Sequence, residues 1–164
     1  MIVKAGHVTL RWFRSTDLAD LVDLFAACYP AEKWTAEDLH AFAHKRDTEQ
    51  QVKSGNIIKV LVAEDKLLAA LLYTVKSGNC ALRRLAVHPD HRREGLAKYA
   101  LQTLTGPRSL TRCRAFTARV RESWLPAQLL LRSADFRCDS IERGRYTEPR
   151  EDAYLFCKLR ADVA

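Results

Sequence analysis

The segment from residue 80 to residue 101, with the sequence CALRRLAVHPDHRREGLAKYAL, constrains the fold more than any other part of the chain. Residues 81–87 predict a strand, and the polar letters HPDHRRE that follow predict a turn. Gly95 then opens a predicted helix. The sequence therefore predicts a junction in which a helix begins shortly after a strand ends.

This junction has the properties of an anion-binding site. The first N–H groups of a helix have no intrahelical partner, and the helix dipole makes that end positive, so together they bind anions. Arg92, Arg93 and Lys98 surround this end with cationic side chains. Gly95 and Ala97 keep the path narrow, so a phosphate could approach the backbone closely. The alternative is an ordinary helix start with solvated arginines, since a short glycine motif alone is weak support.

Periodicity over the rest of the chain predicts an α/β protein. Apolar runs that alternate or are rich in β-branched residues predict further strands at residues 8–12, 57–63, 67–75, 115–120, 138–145 and 152–159. Helix starts are predicted at residues 15–17, at Thr35 for a helix running towards His44, and at Ser123. The polar stretch 45–56 is predicted to be a loop. The predicted order is β-α-α-β-β-β-α-β-α-β-β, without an internal repeat.

Length and composition predict one domain over residues 1–164. A chain with 48% hydrophobic and 29% charged residues has a globular composition. No apolar run approaches the roughly 20 residues that cross a bilayer, and the first residues resemble no secretory signal. Five cysteines without a CxxC pair predict reduced thiols, a cytoplasmic location and no metal.

The net charge of +7 predicts attraction for an anionic cofactor. A nucleic-acid partner is disfavoured, because no basic stretch is interleaved with the aromatic residues that a base-stacking surface needs. The charge is thus interpreted as a property of solubility and cofactor binding.

Arg92, Gly95 and Ala97 follow the strand end LAVHP, residues 85–89, with the spacing R-x-x-G-x-A. This pattern resembles motif A of the GNAT superfamily, the acetyl-CoA-dependent N-acetyltransferases, which reads (Q/R)-x-x-G-x-(G/A). The predicted element order is also that of the GNAT fold, so the resemblance covers nearly the whole chain. It implies an α/β fold, a mixed central sheet of about seven strands flanked by about four helices, and acetyl-CoA as cofactor.

The resemblance also implies which residues hold the cofactor. In GNAT enzymes the motif A strand diverges from its neighbour, and its freed backbone groups bind the pantetheine and polarise the thioester carbonyl. By resemblance these groups belong to Leu85, Ala86 and Val87, whose side chains can pack in the core at the same time. The pyrophosphate would lie on Arg93, Glu94, Gly95, Leu96, Ala97 and Lys98, with Arg92 at the Q/R position.

Other segments resemble a narrower branch, the ribosomal-protein-alanine N-acetyltransferases and related protein N-terminal acetyltransferases. The sequence VRES at residues 120–123 and the sequence EDA at residues 151–153 match motifs of that branch. There, the turn between the first two helices and a late loop flank the peptide groove. Tyr29 and Tyr146 are therefore substrate-binding candidates, and Tyr146 is also the catalytic candidate. The alternative is that both are packed aromatic residues with solvated hydroxyls.

The chain departs from that branch at the positions of its acid and base. Leu131 replaces the tyrosine acid, Trp124 replaces an asparagine and Asp135 a glycine. The two positions at which relatives carry a carboxylate base fall on Arg119 and Ala81. The amine could instead lose its proton through ordered water with help from Tyr146 or Glu122; the alignment could be displaced; or the protein could bind coenzyme A and catalyse little.

The sequence therefore predicts an acetyl-CoA-dependent N-acetyltransferase that acts in a ternary complex and releases coenzyme A. A protein or peptide amine is the preferred acceptor. A small-molecule amine acetyltransferase and a non-catalytic acyl-CoA sensor are the alternatives. The expected assembly is a monomer or a homodimer.

Overall fold

A computed structural model describes residues 7–43 and 54–161 of the chain. The strands are β1 (Thr9–Trp12), β2 (Gly55–Ala63), β3 (Lys66–Lys76), β4 (Asn79–Val87), β5 (Ala115–Arg121), β6 (Arg137–Thr147) and β7 (Arg150–Leu159). The α-helices are α1 (Leu18–Cys28), α2 (Ala36–Phe42), α3 (Leu96–Thr105) and α4 (Leu125–Ser133). Short 3-10 turns at Ser15–Asp17 and Pro89–His91 precede α1 and α3.

The seven strands form one mixed sheet in the order β1-β2-β3-β4-β5-β7-β6. β4 and β5 are parallel, and the other neighbouring strands are antiparallel. A parallel pair needs a long crossover, and α3 provides it between β4 and β5. The predicted α/β class and element order are confirmed over the part of the chain that the structure describes.

Helices cover the sheet unequally on its two faces. On one face, Phe25 of α1 and Leu39 of α2 are buried against side chains of β2, β3 and β4. On the other face, Leu101 of α3 and Leu131 of α4 pack around Phe116 of β5. Within the described ranges, the cluster beneath α1 and α2 contains no side chain from β5, β6 or β7. On the face of the sheet that carries α1 and α2, these two helices therefore leave β5–β7 uncovered.

Two predicted helix starts have different outcomes. Thr35 caps α2 as predicted, since its hydroxyl accepts from the amide of Asp38 at 3.1 Å and its amide donates to the Asp38 carboxylate at 2.9 Å. The predicted Ser123 cap is wrong, because the N-cap of α4 is Trp124. The amide of Ser123 donates to Glu151 at 3.2 Å, which ties this residue to β7. His44 and most of the predicted loop 45–56 lie outside the described residues, and β2 already begins at Gly55.

All five cysteines are described, and none forms a disulfide. Cys80 and Cys113 are buried in the core, and burial raises the pKa of both thiols. Cys28 and Cys157 are partly buried, and Cys138 is exposed. None of the helices among residues 7–43 and 54–161 has the length and apolarity that crossing a membrane requires.

Arg160, directly after β7, binds the loop between α3 and β5. Its guanidinium donates to the carbonyl oxygens of five loop residues at 2.6–3.3 Å, namely those of Gly106, Pro107, Ser109, Leu110 and Cys113. Its amide also donates to the carbonyl of Arg114 at 2.9 Å. We call residues 106–114 the Arg160 loop. One cation thus satisfies a set of backbone acceptors that have no helix or strand to bind them.

The ion pair at the start of α1 predicts a pH-dependent contribution to stability. Arg11 donates twice to the Asp17 carboxylate at 2.8 Å, and these bonds hold the pKa of Asp17 below its usual range. A lowered carboxyl pKa stabilises the fold above the unfolded pKa, and this contribution is lost as pH falls through the folded pKa. Urea unfolding at pH 7 and pH 3 should show a smaller loss of stability for Arg11→Gln than for the wild type. Arg14→Gln is the control, because Arg14 hydrogen-bonds to Asp17 through its amide and its charge contributes least to the lowered pKa of Asp17. Equal losses in all three proteins would contradict the prediction.

Candidate acetyl-transfer site

β4 and β5 are paired along only part of their length. Their parallel pairing ends at Leu82 and Ala118, although both strands continue for several residues. β4 remains paired with β3 there, and β5 remains paired with β7. A gap therefore opens between two strands that are each held on their outer side. We call this gap the fork; residues 83–87 of β4 and 119–121 of β5 form its sides.

The β4 side of the fork presents backbone groups of alternate residues. The amide of His88 donates to the carbonyl of Leu68 in β3 at 2.8 Å. Because backbone groups alternate along a strand, those of Ala86 also face β3, whereas those of Leu85 and Val87 face the fork. Of the three residues expected to hold the pantetheine, two thus turn their N–H and C=O groups into the gap.

The end of α1 contacts this same edge. The hydroxyl of Tyr29 donates to the carbonyl of Leu85 at 2.7 Å. The thiol of Cys28 and the Nε of Arg92 each lie 3.3 Å from the carbonyl of Val87, to which they donate. The structure therefore brings Tyr29, Leu85, Val87 and Arg92 together, and it adds Cys28, which sequence reasoning missed.

Tyr29 is held by its ring as well as its hydroxyl. Its ring centroid lies 5.6 Å from that of Phe25 and 5.7 Å from the guanidinium carbon of Arg84. Burial raises the pKa of Tyr29 to about 12. The hydroxyl therefore stays protonated near neutral pH and acts as a fixed donor to the backbone of the fork.

The turn before α3 is open to an anion. Arg93 and Gly95 have positive φ values of 66° and 82°, and no side chain caps the start of the helix. A Cβ placed on Gly95 would meet no atom within 4 Å, so the space above it is free. The amides of Leu96, Ala97 and Lys98 begin the helix without intrahelical acceptors. This geometry fits the pyrophosphate of acetyl-CoA, which needs close backbone approach and unpaired N–H groups.

The charges around this turn favour the same ligand. Arg93 and Lys98 are exposed, and no described carboxylate pairs with either. The side chain of Glu94 is 15% exposed, and its Oε2 is buried 3.5 Å from Nδ1 of His91. Its negative charge is therefore turned towards a histidine instead of the open space. His88 is the first residue of this turn, and its Nδ1 accepts from the Asp90 amide at 3.2 Å.

Tyr146 lies beside the β5 side of the fork. Its ring centroid is 4.0 Å from the guanidinium carbon of Arg121, the last residue of β5. Arg121 donates to Glu151 at 2.6 Å, and Glu151 also accepts from the Ser123 amide. Tyr29 contacts β4 and Tyr146 contacts β5, so the two tyrosines lie on opposite sides of the fork.

Two ion pairs at the fork were missed by sequence reasoning. Arg119 Nε donates to both carboxylate oxygens of Glu142 at 2.9 and 3.0 Å. On the β4 side, Arg84 donates to both oxygens of Glu32 at 2.9 and 2.8 Å. Glu142 thus brings a carboxylate beside Arg119, where the resembled branch carries its base. Both carboxylates are bound to guanidinium groups, which limits their use as free bases.

Leu131 and Trp124 occupy the positions at which the resembled branch carries a tyrosine acid and an asparagine, and neither has a comparable polar group. Leu131 is 3% exposed and packs in the core with α3. Trp124 is 47% exposed at the start of α4. Neither places an acid or a base in the fork.

The family model for the acetyltransferase (GNAT) family matches residues 18–136. The chain belongs to the GNAT acetyltransferase family. No curated protein sequence matches it. It is an acetyl-CoA-dependent N-acetyltransferase, and the fork and turn described above lie within the matched region.

Solved GNAT structures share this fold over nearly its whole length. The ribosomal-protein-S18-alanine N-acetyltransferase from Escherichia coli is 23% identical, with a TM-score of 0.78 and 96% of each chain covered. A chimera of the spermidine N-acetyltransferase from Vibrio cholerae is 14% identical, with a TM-score of 0.79, covering 95% of this chain and 97% of that chain. The yncA protein from Salmonella typhimurium, solved with its cofactor acetyl-CoA, is 14% identical, with a TM-score of 0.75 and 97% of each chain covered.

Proposed function

We propose that this GNAT enzyme transfers the acetyl group of acetyl-CoA to a primary amine of a protein or peptide, by direct attack in a ternary complex. The observation that carries the proposal is the fork, whose free β4 edge leads directly to an uncapped helix start. Acetyl-CoA supplies an activated thioester carbonyl. The chain supplies an edge that aligns it and an open face from which an amine approaches.

The cofactor contacts are proposed residue by residue. Leu85 and Val87 offer their backbone N–H groups to the pantetheine, since their carbonyls already accept from Tyr29, Cys28 and Arg92. Ala86 lies between them with its side chain buried in the core. The pyrophosphate is held by the turn and helix start, with backbone N–H groups and cationic side chains contributed by Arg92, Arg93, Glu94, Gly95, Leu96, Ala97 and Lys98.

An extended acceptor is supported by the open face of β5–β7. Arg119 and Arg121 lie on this face beyond the cover of α1 and α2, and each is paired with a carboxylate. Alternating charges along an open face suit a peptide, which offers backbone groups and side chains of both signs. The E. coli structural neighbour acts on a ribosomal-protein alanine, whereas the V. cholerae neighbour acts on spermidine. A polyamine is disfavoured here, because these carboxylates already bind arginines.

Deprotonation of the amine is proposed to use water together with Tyr146. The Glu122 carboxylate accepts from the amide of Asp152 at 3.1 Å, so it is partly engaged in joining β5 to β7. Tyr146 offers a hydroxyl beside the fork, and the guanidinium of Arg121 above its ring holds the ring in place. Tyr29 and Tyr146 then contact the acceptor from opposite sides.

The function is tested by thiol release from acetyl-CoA with peptides of varied N-terminal residue, free amino acids and spermidine. We expect peptides to give kcat/KM values at least tenfold above those of the small amines. Faster release with spermidine or an amino acid would favour the small-molecule alternative. Binding of acetyl-CoA without release on any acceptor would favour a sensor.

Tyr146→Phe should lower kcat by about 10- to 100-fold, at or below the lower end of general acid–base contributions, because water shares the proton transfer. The KM for acetyl-CoA should change little, because Tyr146 lies away from the phosphate turn. Tyr154→Phe is the matched control. Tyr154 lies in β7, packs against the core cluster around Phe116 on the α3 and α4 face of the sheet, and has no described partner for its hydroxyl. Unchanged kinetics in Tyr146→Phe would remove this residue from the mechanism.

We further infer that residues 1–164 form one acetyltransferase domain with a cytoplasmic location, as a monomer or homodimer. Five unpaired thiols fit a reducing compartment. The described residues contain no group of three or more side chains suited to a metal ion, and the proposed chemistry requires none.

A further inference from the structure

The end of the sheet opposite the fork is strongly basic. It comprises the β3–β4 turn, residues 76–79, and the Arg160 loop, which leads into β5. Residues 66–89 and 95–121 contain no Asp or Glu. The turn and loop carry Lys76, Arg108, Arg112 and Arg114. We call these four residues the basic end.

These cations differ from the arginines at the fork in having no partner. Arg108, Arg112 and Arg114 are exposed, and no described residue forms a hydrogen bond or an ion pair with their side chains. Arg84 and Arg119, by contrast, are each bound to a carboxylate. The basic end is therefore a cluster of uncompensated positive charge away from the acceptor face, where the known reaction does not use it.

The backbone beneath the basic end is rigidly held. Arg160 binds five carbonyl oxygens of the loop, so these lie around a single guanidinium. The amide of Arg114 donates to the carbonyl of Gly78 at 2.7 Å, which joins the loop to the β3–β4 turn. The arginines are therefore displayed from a fixed base, and binding a ligand would order little additional backbone.

We propose that the basic end binds the phosphate backbone of a nucleic acid without reading its sequence. Guanidinium groups match phosphate in a bidentate geometry, and counterion release supplies affinity without base contacts. The absence of stacking aromatic residues therefore excludes base readout but leaves backbone binding intact. A bilayer is a poorer fit, because neither the turn nor the loop exposes a large apolar side chain that could insert.

The test compares the wild type with two variants of equal charge. Arg108→Gln/Arg112→Gln/Arg114→Gln removes the loop arginines, and Arg14→Gln/Lys66→Gln/Arg150→Gln removes three exposed cations elsewhere. Binding of a fluorescent RNA duplex of 20 base pairs is measured by anisotropy between 50 and 200 mM salt. Poly-glutamate and vesicles of phosphatidylserine and phosphatidylcholine are the other probes.

We expect wild type and the second variant to bind the duplex with similar salt dependence. The loop variant should bind at least about tenfold more weakly at low salt, and its slope of log K against log salt should be flatter by about 2.7, for three lost phosphate contacts. Equal binding by both variants, or binding of poly-glutamate or vesicles in preference to RNA, would overturn the proposal. Acetyl-CoA should stabilise the loop variant as much as it stabilises the wild type, which would show that the variant is folded. Loss of RNA binding could then be distinguished from a failure of the proposed acetyl transfer.

Discussion

Gly95→Glu is expected to abolish the thermal stabilisation of the protein by acetyl-CoA. The added side chain would project into the free space above the turn, where the pyrophosphate is proposed to bind. Its carboxylate would repel the phosphates and compete for the amides that begin α3. A ligand at a hundred times its Kd stabilises a protein by about 2.7 kcal/mol, which corresponds to a melting shift of about 5–10 °C for a chain of this size. We expect that shift to disappear.

The matched control is Gly78→Glu. Gly78 also has a positive φ, of 78°, but lies at the opposite end of β4, in the β3–β4 turn. Both variants carry the same added charge and comparable strain from a left-handed side chain, of about 1 kcal/mol. Both should therefore melt at lower temperature without ligand, whereas only Gly78→Glu should respond to acetyl-CoA. A full response in Gly95→Glu would place the pyrophosphate elsewhere.

Arg160→Met should be among the most destabilising single changes outside the apolar core. Methionine retains much of the aliphatic packing of the arginine but offers no donor to the carbonyls of the Arg160 loop. Backbone amides of the loop still bind the carbonyls of Gly106 and Leu110, so three of the five carbonyls would lose their only described donor. Buried acceptors without partners cost about 1–3 kcal/mol each, and water will reach the outermost ones. A net loss of about 3 kcal/mol, or about 6–12 °C in Tm, is expected in thermal and urea unfolding.

Two further variants identify the cause of this loss. Arg160→Lys keeps the charge but cannot reach all five carbonyls, so its stability should lie between those of the wild type and Arg160→Met. Arg137→Met removes an exposed arginine with no described side-chain partner and should change stability by less than about 0.5 kcal/mol. Similar melting of Arg160→Met and the wild type would show that the loop is held by other contacts.

The strand–turn–helix junction could be predicted because its determinants are local. The strand residues of β4, the polar turn and the glycine before α3 all act over a few residues, and the structure places Gly95 at the N-cap as expected. The order of elements followed from similar periodicities. The Ser123 cap failed because a distant residue, Glu151 of β7, binds its amide. Local helix signals cannot include such a competitor.

The ion pairs of the site could not be predicted, because they depend on strand register. Arg119 and Glu142 are separated by 23 residues in the chain and meet only because β7 lies between β5 and β6 in the sheet. The contact of Tyr29 with Leu85 spans 56 residues. Sequence resemblance predicted Tyr29 as a substrate-binding residue. It could not predict that Tyr29 binds a backbone carbonyl, because that contact depends on the packing of α1 beside β4.

The short pairing between β4 and β5 divides the sheet into two antiparallel halves. Four residue pairs, from Asn79↔Ala115 to Leu82↔Ala118, form the seam between β1–β4 and β5–β7. Partial opening of a native protein begins where few cooperative contacts must break, and a seam of this length is such a place. A cofactor bound in the fork beyond this seam would contact both halves of the sheet. Its binding should therefore slow amide hydrogen exchange in β1–β4 and in β5–β7 together, so ligand binding and the stability of the seam are coupled.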